Sequence, residues 1–205
     1  MRVRLSRTEW LVCGTAALGF AFDTYELLAL PLVMRPAVVA LGGMAAGTPA
    51  FNRWVGLLLY LPAVCGGVLG LLGGVLTDRW GRRRLLIASI VLYAVCASAS
   101  AFVTSLPLFL VLRCLVWSGI AIELVAGVTY VAEILDDPRK REAALGITQV
   151  FSSFGGLLVS AVYYLCVTHA ESLPPIRGTH EAWRYTLISG LIPAMNSGQL
   201  SFVGA

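Results

Sequence analysis

Two charge-free apolar runs, Val55 to Val75 and Leu85 to Val103, are separated by a single knot of charge, Asp78-Arg79-Trp80-Gly81-Arg82-Arg83-Arg84. Each run is of membrane-spanning length, since about 20 apolar helical residues cross roughly 30 Å of hydrocarbon. A cationic turn between two such spans is retained on the cytoplasmic side. Gly81 suits the turn because it adopts φ > 0 without steric cost. Asp78 sits at the C-terminal end of the incoming helix, whose dipole disfavours an anion. It is therefore expected to be held by the neighbouring arginines or by the N-terminus of another helix.

Only 13% of the residues are charged and 58% are hydrophobic, against about 25% charged in a soluble domain. The basic excess lies in short inter-helix loops, where topology accounts for it, so no nucleic-acid partner is expected. Cys13, Cys65, Cys96, Cys114 and Cys166 all fall inside apolar runs and form no C-x-x-C pair. They read as small buried hydrophobes rather than metal ligands or disulfides.

In chain order, helix 1 is expected from Trp10 to about Met34, followed by a loop rich in Gly, Ala and Pro from Arg35 to Arg53. Helix 2 then runs to about Leu76 and helix 3 starts at Leu85. A turn at Ser105-Leu106-Pro107 leads into helix 4, about Leu108 to Ala132. After a polar loop at Asp136 to Arg141, helix 5 spans Ala143 to Val167, and helix 6 begins near Trp183. The basic start before helix 1 is expected to belong to a membrane helix rather than a secretory signal, because the apolar run is too long and shows no small-residue cleavage site followed by a soluble domain. Residues 1–194 thus read as one transmembrane bundle and 195–205 as an irregular, truncated tail. The fold class is an all-α membrane protein with five complete transmembrane helices and a partial sixth.

Placing the N-terminus inside puts ten cations on the cytoplasmic side (Arg2, Arg4, Arg7, Arg79, Arg82, Arg83, Arg84, Arg139, Lys140, Arg141) and four outside (Arg35, Arg53, Arg177, Arg184). That asymmetry favours a multi-pass plasma-membrane protein with its N-terminus inside.

Helix 1 holds two carboxylates, Asp23 and Glu26, three residues apart on one face. Helix 4 holds Arg113 and, ten residues on, Glu123. Ionisable groups inside spans are costly and usually face a polar cavity or a partner. The economical pairing sets Asp23 opposite Arg113. A static buried ion pair is the alternative; burial penalises the charged carboxyl and a nearby cation favours it, and the residues alone leave the balance open. Gly66, Gly70 and Gly74 recur every four residues along helix 2 and suit close packing by another helix. Gly155 and Gly156 suit bending or packing of helix 5. Trp117, Tyr130 and Tyr163 could line a solute site, though packing is the commoner role of such rings. No enzyme signature is present. The glycine run lacks the lysine of a phosphate-binding loop, and His169 and His180 lie in a polar loop without metal-ligand or nucleophile-elbow spacing. No cofactor or metal is expected.

The pattern Gly-x-Leu-x-Asp-Arg-x-Gly-Arg-Arg-x-x-Leu, from Gly74 to Leu86, resembles the signature between helices 2 and 3 of the major facilitator superfamily. Gly119-Ile-Ala-Ile-Glu123, Thr129-Tyr130-Val-Ala-Glu133 and Arg139 to Arg141 are similar to the fourth helix and following loop of its sugar porters and metabolite:proton symporters. Thr77, Trp117 and Ala121 replace small residues or glycines of those patterns, and Leu124-Val125 lacks their proline. The resemblance implies the N-terminal six-helix half of a secondary transporter, carrying a small organic solute such as a sugar or organic acid, with protons. It assigns Asp23, Glu26, Arg113 and Glu123 to proton coupling and substrate. Gly74, Asp78, Arg79, Gly81, Arg82 and Arg83 fall to a gating motif, and Glu133, Arg139 and Arg141 to a cytoplasmic charge cluster. The partners implied are the solute, protons, the lipid bilayer, and either the missing C-terminal half or a second copy; alone, the chain is expected not to transport. The competing readings are a drug or metabolite antiporter, and a non-transporting, truncated or regulatory membrane protein. The topology is tested by Trp80→Cys in a background without native cysteines: an impermeant thiol reagent added outside intact cells should leave it unlabelled, and labelling would overturn the N-inside assignment.

Overall fold

A computed structural model of the chain describes residues 7–134 and 137–191, the side chains of 7–9, 11, 12, 15, 82, 83 and 130–134 excepted. Six α-helices follow in order: α1 Arg7–Gly42, α2 Pro49–Trp80, α3 Arg82–Ala99, α4 Leu106–Ile134, α5 Pro138–Thr168 and α6 Ala182–Ser189. Short 3₁₀ turns at Ser100–Phe102 and Ala170–Ser172 close α3 and α5. Five of the helices are long and apolar enough to cross a membrane. The expected tail at 195–205 lies outside the described residues.

The sequence boundaries need correction at two loops. The connection after α1 is only 43–48, because α1 runs through Pro31 and Pro36 to Gly42 and α2 starts at Pro49. Proline is tolerated inside membrane helices when neighbours satisfy the freed carbonyl, and Ala37 and Val38 just beyond Pro36 are fully buried. Packing therefore holds the helix past the breaker. Arg35 and Arg53 sit exposed on helix ends rather than in a loop. Likewise α5 begins at Pro138, with Asp137 as N-cap accepting from the Arg139 amide at 2.9 Å, so Arg139 to Arg141 belong to its first turn. Thr48 caps α2 in the same way, accepting from the Phe51 amide, with proline again at the first helical position where no amide partner is lost. Gly81, at φ 82°, makes the whole turn between α2 and α3, as its lack of a side chain allows.

Helix contacts are set by small residues. A Cβ placed on Gly66 would lie 3.1 Å from the Trp117 carbonyl oxygen, and one on Gly70 3.3 Å from Ala121 Cβ. Gly73 meets the Ile122 backbone at 3.6 Å, whereas Gly74 meets nothing within 4 Å. The face against α4 is thus 66-70-73 and continues to buried Thr77, because a strict four-residue step drifts around a helix of 3.6 residues per turn. On α4, Gly119 approaches the Ser89 carbonyl and Tyr93 of α3. On α5, a Cβ at Gly155 would collide with the Ala21 carbonyl oxygen of α1, so this pair packs backbone to backbone rather than bending. The remaining flanks of α2 and α5 stay exposed and apolar.

The main core joins Leu30, Val33 and Ala37 of α1, Leu58 of α2, Phe109 of α4, and Trp183 and Leu187 of α6. Arg184, expected as a loop cation, is buried here. It pairs with Glu181 at 2.5 Å and donates to the Ala101 and Val103 carbonyls at 2.6 and 3.1 Å, while stacking on Trp183. Those carbonyls are orphaned by the end of α3, so the guanidinium completes that helix end. Nearby Arg177 takes φ 55° and donates to the Phe102 carbonyl at 2.7 Å. Gly155→Ala should lower the stability of the purified chain by about 1–3 kcal/mol, read as thermal unfolding in detergent, while Gly67→Ala, facing open space, should not. Equal midpoints would disprove the close α1–α5 contact.

Candidate functional site

Successive residues of a helix point about 100° apart, so four in a row address every side of it. On α1, Asp23 faces Glu123. Thr24 bonds Ser152 of α5, Tyr25 bonds Ser189 of α6 at 2.6 Å, and Glu26 faces Arg113 of α4. The polar step Asp23-Thr24-Tyr25-Glu26 is therefore a hub that touches three other helices. Asp23, Glu26, Arg113 and Glu123 are all buried, with Arg113 fully enclosed.

The pairing differs from the expected one. Arg113 lies 3.8 Å from Glu26, not against Asp23. Its other terminal nitrogen donates to the Ala97 carbonyl at 3.2 Å and to Ser100 Oγ at 2.9 Å, both near the end of α3. The Phe109 ring covers it at 5.7 Å. Asp23 and Glu26 share a general side of α1, but the arginine emerges level with the later residue. Glu26 also needs Gly190 after α6, where any Cβ would collide with its Oε1. Asp23 instead sits within electrostatic reach of Glu123 and Glu26, with Tyr93 of α3 beside them. Neither Asp23 oxygen accepts a hydrogen bond.

Ser100, Tyr93 and Gly190 carried no signal in the sequence. Ser100 hides in an alternating Ala-Ser stretch, and Tyr93 is one ring in an apolar span. Trp117 and Tyr163 are partly buried packing residues of the core, and the Tyr130 side chain lies outside the described residues.

The interhelical motif is placed but not closed. Thr77 is buried and bonds the Gly73 carbonyl at 2.6 Å, while Asp78 and Arg79 are exposed. Asp78 makes no hydrogen bond or ion pair with a described residue; the neighbouring arginines whose side chains are described do not hold it. The side chains of Arg82, Arg83 and Glu133 lie outside the described residues, so the charge cluster with Arg139 and Arg141 is placed only by backbone. No group of metal-ligating side chains occurs among the described residues.

Residues 11–200 match the sequence profile of the Major Facilitator Superfamily. The chain belongs to that superfamily. It is 30% identical over 131 residues to the arabinose-proton symporter of Bacillus subtilis (strain 168), covering 63% of this chain and 27% of the relative. It is 25% identical over 191 residues to the niacin transporter NiaP of Acinetobacter baylyi (strain ATCC 33305 / BD413 / ADP1), covering 93% of this chain and 39% of the relative. The fold superposes on the partially occluded inward-open xylose transporter XylE from E. coli with a TM-score of 0.80 and 22% identity, over 98% of this chain and 49% of that one. The chain therefore spans less than half the length of each, and this superfamily member is a multi-pass membrane protein similar to these transporters.

Arg113→Lys keeps the charge but loses the fork that reaches Glu26, Ala97 and Ser100 together. It should lower stability by about 1.5–3 kcal/mol, and Ser100→Ala by about 1 kcal/mol, by thermal unfolding in detergent. A lysine variant as stable as the parent would show that the fork is not used.

Proposed function

We propose that this chain forms the solute- and proton-handling N-terminal half of a secondary active transporter, in the plasma membrane with its N-terminus inside. It carries out proton-coupled uptake of a small organic solute such as a sugar or organic acid. The observation that carries this reading is the buried α1–α4 charge cluster. Ionisable side chains at membrane depth persist where they move ions or solutes, because their burial is otherwise unfavourable. The arabinose-proton symporter and the niacin transporter among the relatives support the solute class, one neutral and polyhydroxylated, the other a small organic acid. Carriers built from repeated helical halves bind solute between them near the bilayer midplane, and the exposed apolar flanks of α2 and α5 suit such a neighbour. The second six-helix unit, or a second copy of this chain, is the partner proposed for those flanks.

Asp23 is the proposed coupling carboxyl, since it is buried with no hydrogen-bond partner and, unlike Glu26, no cation in ion-pair reach among the described residues. Glu26 and Arg113 hold α1, α3 and α4 together beside it. In proteoliposomes containing the chain with a matching second half, a proton gradient should drive saturable accumulation of labelled sugar or organic acid. The chain alone should not accumulate solute. Asp23→Asn should abolish accumulation and spare solute exchange. Accumulation that survives the substitution would count decisively against the assignment.

A further inference from the structure

Among the described residues, Arg113 lies in ion-pair reach of Glu26 alone, at 3.8 Å, and one of its terminal nitrogens donates to Ala97 and Ser100. Three buried carboxyls thus share one guanidinium. Asp23 and Glu123 are left without a cation among the described residues. Both Asp23 oxygens, both Glu26 oxygens and Glu123 Oε2 accept no hydrogen bond, so the ion pair to Arg113 is what sets Glu26 apart, and the enclosed Tyr93 hydroxyl lies beside Glu123. No packed element brings relief. The buried residues of α2 (Phe51, Leu58, Pro62, Gly66, Gly73, Thr77) and of α5 (Ala144, Thr148, Gly155, Val159) are uncharged. On α6, Arg184 is taken up by Glu181 and the α3 end. On α3 the facing titratable groups are Tyr93 and Cys96.

Three carboxylates against one guanidinium leave two negative charges in excess, and an uncompensated buried charge is strongly disfavoured. Two protons remove the excess. We propose that Asp23 and Glu123 each hold a proton in this state, as a two-proton store beside the Glu26–Arg113 ion pair, with Tyr93 as their hydroxyl neighbour. This deepens the coupling reading and rests on it only for the consequence that two protons move per solute. Release is O–H heterolysis at each carboxyl, the proton passing to water when the cluster opens. Each carboxyl is left as a carboxylate.

Infrared spectroscopy of the purified chain in lipid bilayers reads the C=O stretch of protonated carboxyls directly, without solute or a second half. Asp23→Asn and Glu123→Gln should each remove one of two bands at neutral pH, and the double variant both. Arg113→Gln, which leaves Glu26 without its cation, should add a third. If either amide substitution leaves the carboxyl bands unchanged, the proposal is overturned, whether or not the arginine variant folds. Both bands present in a carrier that fails to accumulate solute with protons would overturn the transport reading and leave this one standing.

Discussion

Much of this bundle accommodates one fully buried guanidinium. Arg113 on α4 draws a carboxylate from α1 and a carbonyl and hydroxyl from the end of α3. Removing Glu26 or Arg113 would leave the other as an unpaired buried charge, which is far worse than never having had it. The contact therefore sets the relative rotation of three helices. It also determines which carboxyl is spent on structure. Glu26 is held by the arginine, and Asp23, one turn earlier, is not.

The rest of the packing brings backbones close enough for these short-range contacts to form. In lipid the hydrophobic effect does not drive helices together, so close fit and interhelical polar contacts carry the association. Gly66, Gly70 and Gly73 seat α2 on α4, Gly119 seats α4 on α3, and Gly155 seats α5 on the Ala21 carbonyl. The last of these lies just before the Asp23–Glu26 hub, where Thr24 reaches Ser152. A larger side chain at Gly155 would thus move α1 against the charge cluster as well as against α5. At the other end of the molecule Arg184 ties α6 to the α3–α4 turn, which positions Ser189 for Tyr25 and Gly190 for Glu26. The Arg184 anchor and the charge cluster are connected through α6.

Asp78 stands apart from this network, exposed at the foot of α2 beside Gly81. It lies at the unfavourable end of its own helix dipole, and no described residue offsets it. Its cost is moderate because it meets solvent rather than hydrocarbon.

By itself the sequence determined the element order, the five spans, the Gly81 turn and the identity of the buried ionisable residues. Each of these is local: apolar length, a run of arginines, and charges that stand out against an apolar background. The loop at 43–48 escaped it, since Pro36 reads as a breaker and only the burial of Ala37 and Val38 keeps α1 helical past it. The pairing of Arg113 escaped it too. Spacing places Asp23 and Glu26 on one side of α1 but cannot say how far α4 slides along it, and that slide decides which carboxyl receives the arginine. Ser100, Tyr93, Arg184 and Gly190 acquire their roles only from the same register. Tertiary structure alone decided these, because they depend on contacts between residues far apart in the chain.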